Sequence, residues 1–400
     1  MKQAIGLLLV VGVLFGLGNV VPASAEQWQA LPSYEVGRRG HTAVYDGRVD
    51  RMVVFAGQTS NGYVNSCLQM NLAAGSEAWS GLSPSGEVLP SPRAFHTAIV
   101  YPTRNMDAMI VFGGMNQVGR VTNYFNDLWA LSMIQGSEAW NQIDTKGTLP
   151  AVRESHSAIY DPGSATMIVF GGRNGTTYFD DLWVFDFSSS SWALHANSGK
   201  GPTSRAGHSA VYDAAKSRML VYGGYTSSGA YLDELWALDL TAVDGEWKKL
   251  SPSGKGYHAV AWHSAVFDDN GTRMLLFGGT DGMPRNYLQC LSFTTDENGE
   301  WVALNTVGTV PVARNAFPAV LDPKDERMVL FGGVGSLTPY LGSTHELNWR
   351  IIATATPTRT PTRTATDTAY PTITDTATET EAPATLTPTP TQPPYWYNEV

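Results

Sequence analysis

Cysteine is nearly absent from this 400-residue chain: there are two, Cys67 and Cys290. That count excludes a disulfide-stapled scaffold, and a core of this size needs no staples. Charge is sparse as well, at 16% of residues, and it leans acidic to a net −10. Nucleic acid and anionic membrane both require a cationic surface, so neither is expected as the main partner. Long apolar runs are missing except for one at the N-terminus, and no membrane span is expected in the mature chain. Nowhere along the repeats described below do apolar residues recur at the helical period. Glycine (40 residues) and aromatics (11%) are plentiful instead, within a chain that is 43% apolar. The balance suits a turn-rich, all-β protein with a sizeable core.

The N-terminal run reads as a processing signal. Lys2 supplies the positive end, Ile5 to Val21 is apolar but broken by glycines, and Ala23-Ser24-Ala25 is a small-residue cleavage site before Glu26. Residues 1–25 are therefore expected to be a signal peptide, and the mature protein to be secreted or held at the cell surface. No cysteine closely follows the run, which argues against a lipid anchor.

Six copies of one block can be superposed from Gln27 to Arg350. Their paired small residues are Ala56-Gly57, Gly113-Gly114, Gly171-Gly172, Gly223-Gly224, Gly278-Gly279 and Gly332-Gly333, spaced by 57, 58, 52, 55 and 54 residues. A period near 50 indicates a propeller or a solenoid. Each block opens with a strand such as His156-Ser-Ala-Ile-Tyr160 and turns at residues such as Asp161-Pro-Gly163. It continues with a fully apolar strand such as Met109-Ile-Val-Phe112, a pattern expected of a strand buried on both faces. The small pair then permits a left-handed or closely packed exit. A third strand (Asp181-Leu-Trp-Val-Phe185) and a fourth with a late Trp (79, 140, 192, 247 and 301) complete the block. The sixth copy lacks its fourth strand, whereas Glu26-Gln27-Trp28 at the other end matches Glu246-Trp247. An N-terminal strand completing the last sheet would close a ring and leave no open edge. Cys67 and Cys290 fall in third strands of copies one and five, too far apart to bridge, and are expected to be buried free thiols.

These motifs resemble kelch repeats. The resemblance implies an all-β fold, a six-bladed β-propeller over residues 26–352, closed by the N-terminal strand, of a bacterial exported type. Residues 353–394 alternate Thr and Pro and are expected to form a disordered stalk or linker, followed by a short tail, 395–400.

The sharpest side-chain pattern is Arg-x-x-His at the start of the first strand: Arg38/His41, Arg93/His96, Arg153/His156 and Arg205/His208, with Val260/His263 in copy five and Arg314/Phe317 in copy six. In a propeller this strand is innermost, so these positions encircle the channel. The histidines are expected to be structural, bonded between blades. For the arginines two readings stand: internal pairs that set blade register, or a cationic mouth for carboxylates and sulfates, as the resemblance to kelch adaptor domains implies. Loops after the glycine pairs carry Tyr63, Tyr124, Tyr178, Tyr231, Tyr287 and Tyr340, which either plug blade seams or grip a peptide or sugar at the same mouth.

Enzyme readings find less support. Copper radical oxidases that share the fold use two Tyr, two His and a Cys linked to one Tyr, but here both cysteines lie away from the axis. Plant specifier proteins hold iron through Glu-x-x-x-Asp-x-x-x-His, and none of the eight histidines has Asp four residues before it. No metal or cofactor is expected. The reading is an exported binding module that recognises a glycan or protein ligand at the cell surface. A carbohydrate-active enzyme, a mutarotase or a galactose-oxidase-like oxidase, is the alternative.

Overall fold

A computed structural model describes residues 25–195, 201–241, 245–255 and 258–349. The expected signal peptide, except for Ala25, and the segments 353–394 and 395–400 lie outside the described residues. Within them the chain forms six sheets, each built on a four-stranded antiparallel meander; short parallel strands, Ser253–Gly254 and Thr306–Gly308, add a fifth to blades five and six. Blade one pairs Thr42–Asp46, Arg51–Thr59, Gly62–Asn71 and Ala78–Leu82 in that order. Blades two to five repeat the meander from Thr97, Ser157, Ser209 and Ser264. Blade six takes Ala319–Asp322, Arg327–Phe331 and Thr344–Asn348 from the end of the repeat region, and its fourth strand is Glu26–Leu31. Trp28 stands opposite Leu347, and Leu31 opposite Thr344. The ring is closed.

Each second strand, apolar along its length, is buried on both faces; Met109 to Phe112 are at most 1% exposed. Its last aromatic residue is held between two rings of the following blade. Phe112 meets His156 at 5.3 Å and Trp192 at 4.9 Å, and Phe55 meets His96 at 5.3 Å and Trp140 at 4.7 Å. Trp28 meets Phe277 at 4.8 Å, so the closing strand packs by the same rule. The recurring late Trp is therefore a seam residue, and such ring pairs add roughly 0.5–1.5 kcal/mol beyond area burial. The core is accordingly divided: six apolar clusters, one for each seam.

The paired glycines do what their spacing implied. Gly114 has φ +93°, and a Cβ there would lie 2.8 Å from the Ala94 carbonyl and from His96. Only a residue without a side chain lets the first strand pass that close. Both cysteines are free and buried. Burial pushes the Cys67 thiol up to about 12 and the Cys290 thiol up to about 11, so both are unreactive thiols in the core. No helix among the described residues is long and apolar enough to cross a membrane.

Candidate functional site

The innermost strands converge on the axis and line a narrow channel of about 230 Å³. Its mouth is drawn by one backbone position, two residues after each arginine. There Gly40, Phe95, Ser155, Gly207, Trp262 and Ala316 all adopt left-handed φ between 52° and 66°. The turn aims each N–H at the carbonyl of the blade before it. Phe95 donates to Gly40 (2.7 Å), Ser155 to Phe95 (2.8 Å), Gly207 to Ser155 (2.8 Å), Trp262 to Gly207 (2.7 Å), Ala316 to Trp262 (2.9 Å) and Gly40 to Ala316 (2.8 Å). Six hydrogen bonds thus form a closed loop around the axis. Four non-glycine residues, Phe95, Ser155, Trp262 and Ala316, would not all hold strained φ unless the ring over-determined them, since Gly207 and Gly40 alone pay no side-chain penalty.

The histidines stand one step deeper and link adjacent blades. His96 Nε2 is hydrogen-bonded to Thr42 Oγ1 (2.8 Å), His156 to Thr97 (2.9 Å), His208 to Ser157 (2.8 Å) and His263 to Ser209 (2.7 Å). The series breaks at blade six, where Phe317-Pro318 replaces His-Ser, and His41 has no side-chain hydrogen-bond partner among the described residues. Burial, joined at His41, His96, His156 and His208 by the nearby arginine charges, holds the histidines well below their ordinary range. His263 falls to about 3 through burial alone. They are neutral at physiological pH.

The arginines do not form an open cationic mouth. Arg93, Arg153, Arg205 and Arg314 are 0% exposed and Arg38 is 2% exposed. Arg93 donates two parallel bonds to Asp127 (2.6 and 2.8 Å) and a third to the Gly113 carbonyl (3.0 Å). Arg153 repeats this on Asp181 and Gly171, and Arg205 on Glu234 and Gly223. Phe125 and Phe179 cover the guanidinium groups of Arg93 and Arg153, at 4.4 and 4.5 Å. Arg38 and Arg314 find Ser66 and Ser343 where the others find acids, and burial brings each down to about 10. The physical reason is economy of partners: Asp127, Asp181, Glu234 and Ser343, each just before a third strand, supply the acceptor, and the small-residue pair supplies a free carbonyl. These five residues tie the first strand to the second and third of the same blade. Val260, buried at 0%, replaces the arginine where Tyr287 replaces the acid.

What remains at the mouth is aromatic. Trp262 and Phe95, both half-buried, sit over Gly207 and Gly40 of the blades before them; a Cβ on either glycine would lie 3.1–3.2 Å from the ring. Trp262 lies 4.5 Å from Tyr225, which lies 5.5 Å from Tyr178 and 6.4 Å from Tyr231. Arg173 stands over Tyr225 at 5.6 Å and over Tyr178 at 6.0 Å, fixed by a 2.8 Å bond to the buried Glu154. Across the mouth, Arg39 lies 5.5 Å from the Tyr340 ring and is held by Gln58 at 2.9 Å. Tyr63 is on the same hairpin as Gln58, directly opposite it. Tyr124 is opposite Met115 on the next blade. Tyr287 stacks on His258 at 4.3 Å beneath Arg285. All seven tyrosines are half-buried, with a face against the protein and part of each in solvent.

Sequence reasoning missed Phe95, Trp262, Tyr225, Arg39 and Arg173. A signal was present for the first two: large rings at a position that elsewhere holds Gly, Ser or Ala. Among the described residues no three His, Cys, Asp or Glu side chains converge on one point that a metal would fill.

A closed ring of six four-stranded blades, with paired glycines and a stacked Trp at every seam, defines a kelch-type β-propeller. The sequence model of the KLHDC2/KLHL20/DRC7 kelch-repeats domain matches residues 19–210 and 165–348, and the chain belongs to that family. It is 33% identical to the leucine-zipper-like transcriptional regulator 1 homolog of Drosophila melanogaster over 184 residues, 44% of this chain and 17% of the relative. Human host cell factor 2 is 29% identical over 320 residues, 68% of this chain and 38% of the relative. The hcf-1 host cell factor homolog of Caenorhabditis elegans is 28% identical over 326 residues, 76% and 39%. The chain thus spans well under half the length of these curated relatives. The solved structure of YjhT shares the fold, with a TM-score of 0.59 at 18% identity, covering 78% of this chain and 95% of that one.

Proposed function

We propose that this chain is an exported binding module that holds a segment of a partner protein over the aromatic side of the channel mouth. The observation that carries the reading is the pad of Trp262, Tyr225, Tyr178 and Tyr231, fixed on the rims of three adjacent blades. Rigid amphipathic rings supply a large contact area at small entropic cost, and Trp, Tyr and Arg dominate binding energetics wherever proteins meet. Arg173 beside the pad and Arg39 across the mouth would orient carboxylates on the ligand. Tyr63, Tyr124, Tyr287 and Tyr340 complete the rim. Kelch propellers serve as protein-binding modules, which supports the reading at its coarser level.

A carboxylated or sulfated glycan is the second ligand class for the same surface, because half-exposed tyrosine faces suit sugar rings. Export and display at the cell surface belong to the proposal and are supported by the signal-like segment 1–25 and the Thr/Pro segment 353–394.

The test is an array of peptides and glycans probed with the native protein and with a Trp262→Ala, Tyr225→Ala double variant. The expected result is a ligand whose affinity falls by about 30-fold or more, the ~2 kcal/mol scale of one hot-spot residue. Ligands that bind both proteins equally would move the site elsewhere.

A further inference from the structure

At the ends of the blades opposite the aromatic mouth, the first strand turns into the second, and four blades carry an Asp followed five residues later by an Arg. The pairs are Asp46/Arg51, Asp213/Arg218, Asp268/Arg273 and Asp322/Arg327, at 2.7 to 2.9 Å. Each guanidinium then crosses to the next blade. Arg51 donates to the Met133 carbonyl (2.9 Å) and Glu138 (2.6 Å), and Arg218 to the Glu297 carbonyl (3.0 Å). Arg273 donates to Glu26 (2.6 Å) on the closing strand, and Arg327 to the Leu72 carbonyl. Four of the six seams therefore hold an arginine in one and the same slot.

The other two seams differ from each other. Blade two replaces the pair with Pro102 and Asp107, and its seam is filled by Tyr101 stacked on Phe187 at 4.0 Å. Blade three keeps the acid and loses the base: Asp161 remains, 4% exposed, but Thr166 stands where arginine is expected. Asp161 accepts from the Gly163 N–H (3.0 Å) and the Ser164 hydroxyl (2.6 Å), and it has no ion pair among the described residues. Beside it, between blades three and four, opens a cavity of about 520 Å³. Its walls include the apolar Ile168, Leu182, Val184 and Leu238, and a second carboxylate, Asp239, lines it with no cation among its described lining residues. His195 lines it too, with a buried Nδ1 that has no partner among the described residues.

We propose that the seam between blades three and four is a receptor for an arginine side chain supplied by a partner polypeptide. The ring itself displays the fit in four copies: a carboxylate for the guanidinium, a gap between blades for the aliphatic stem, and acceptors on the following blade. Among the described residues, only here does that carboxylate take an N–H and a hydroxyl in place of an arginine. Two carboxylates supply charge complementarity, the apolar walls suit the methylene stem, and a forked donor satisfies more than one acceptor at once. This site is separate from the aromatic mouth and does not rest on the reading given for it.

The probe is Nα-acetyl-arginine amide, titrated calorimetrically into the full chain, with Nα-acetyl-norleucine amide as the uncharged counterpart. The expected result is one site for the arginine probe and none for norleucine. Two variants locate it. Thr166→Arg places the chain's own guanidinium in the slot, and it should weaken the probe at least tenfold while raising the melting midpoint by about 2 °C. Asp161→Asn should weaken the probe by a similar factor. Equal affinity for the native protein and Thr166→Arg would overturn the proposal, as would absence of binding to the native protein at about 20 mM probe. A Lys200→Ala control covers a cation of the chain itself, outside the described residues; tenfold tighter binding in that variant would also overturn it. Free L-arginine is the last arm, and affinity matching that of the capped residue would overturn the polypeptide source.

Discussion

The buried histidines of the channel wall have a thermodynamic consequence. Each is neutral in the folded ring because burial, joined at four of the five by an arginine charge, disfavours its protonated form. In the unfolded chain each takes up a proton near pH 6.5, so below that pH the unfolded state binds more protons and stability falls. A single histidine contributes up to about 1.4 kcal/mol per pH unit, until the pH reaches its folded-state value; for His263 the window runs from 6.5 to about 3. Five such groups predict a large drop in the denaturant midpoint between pH 7 and pH 5. His208→Phe, which copies the phenylalanine of blade six, should reduce that drop by about one fifth. A midpoint unchanged between the two pH values would contradict the account of the channel wall. The histidine role was legible in the repeat, since five equivalent histidines suit register better than recognition. The arginine role was legible only as a choice between two readings, because the Asp or Glu that pairs with Arg93, Arg153 and Arg205 lies 28 to 34 residues downstream in a loop of variable length. Truncating Arg93 or Arg205 would test folding of the blade rather than ligand binding.

At the scale of the strand, the structure rests on a repeated exchange between neighbours. The second strand of one blade ends in an aromatic ring, and the fourth strand of the next covers it with tryptophan. Trp28 performs this for blade six from the opposite end of the repeat region, and Glu26 beside it receives Arg273 at 2.6 Å. Replacing Trp28 with Ala should therefore destabilise the whole ring by about 3–5 kcal/mol, as for a large core aromatic, measured by denaturant unfolding. A loss below about 1 kcal/mol would mean that the strand is only loosely attached. The strands themselves, their order and the closing strand were readable from apolar runs and glycine pairs. The Asp-Arg staples between blades were not singled out, although their spacing of five recurs four times in the sequence. They look like ordinary turn residues until the neighbouring blade supplies the acceptors. Phe95 and Trp262 stand out in the sequence as large rings where the other copies hold Gly, Ser or Ala, but only the backbone turn shows that this position faces the mouth.

For the molecule as a whole, closure is what turns six similar sheets into one preformed surface. The loop of six axial hydrogen bonds, the histidine links and the seam tryptophans are each satisfied only if every blade has a neighbour on both sides. A rigid rim places Trp262, Tyr225 and Arg173, from three separate blades, at fixed separations, and preorganisation of that kind reduces the entropic cost of binding. The most direct measurement is a cross-link across the closing pair. Ala30 and His345 stand opposite each other in the register of the last blade, so Ala30→Cys with His345→Cys should oxidise to an intramolecular disulfide in high yield, leave the protein monomer-sized, and raise its unfolding midpoint. Failure to form that bond, or formation of it only between separate chains, would contradict the closed ring.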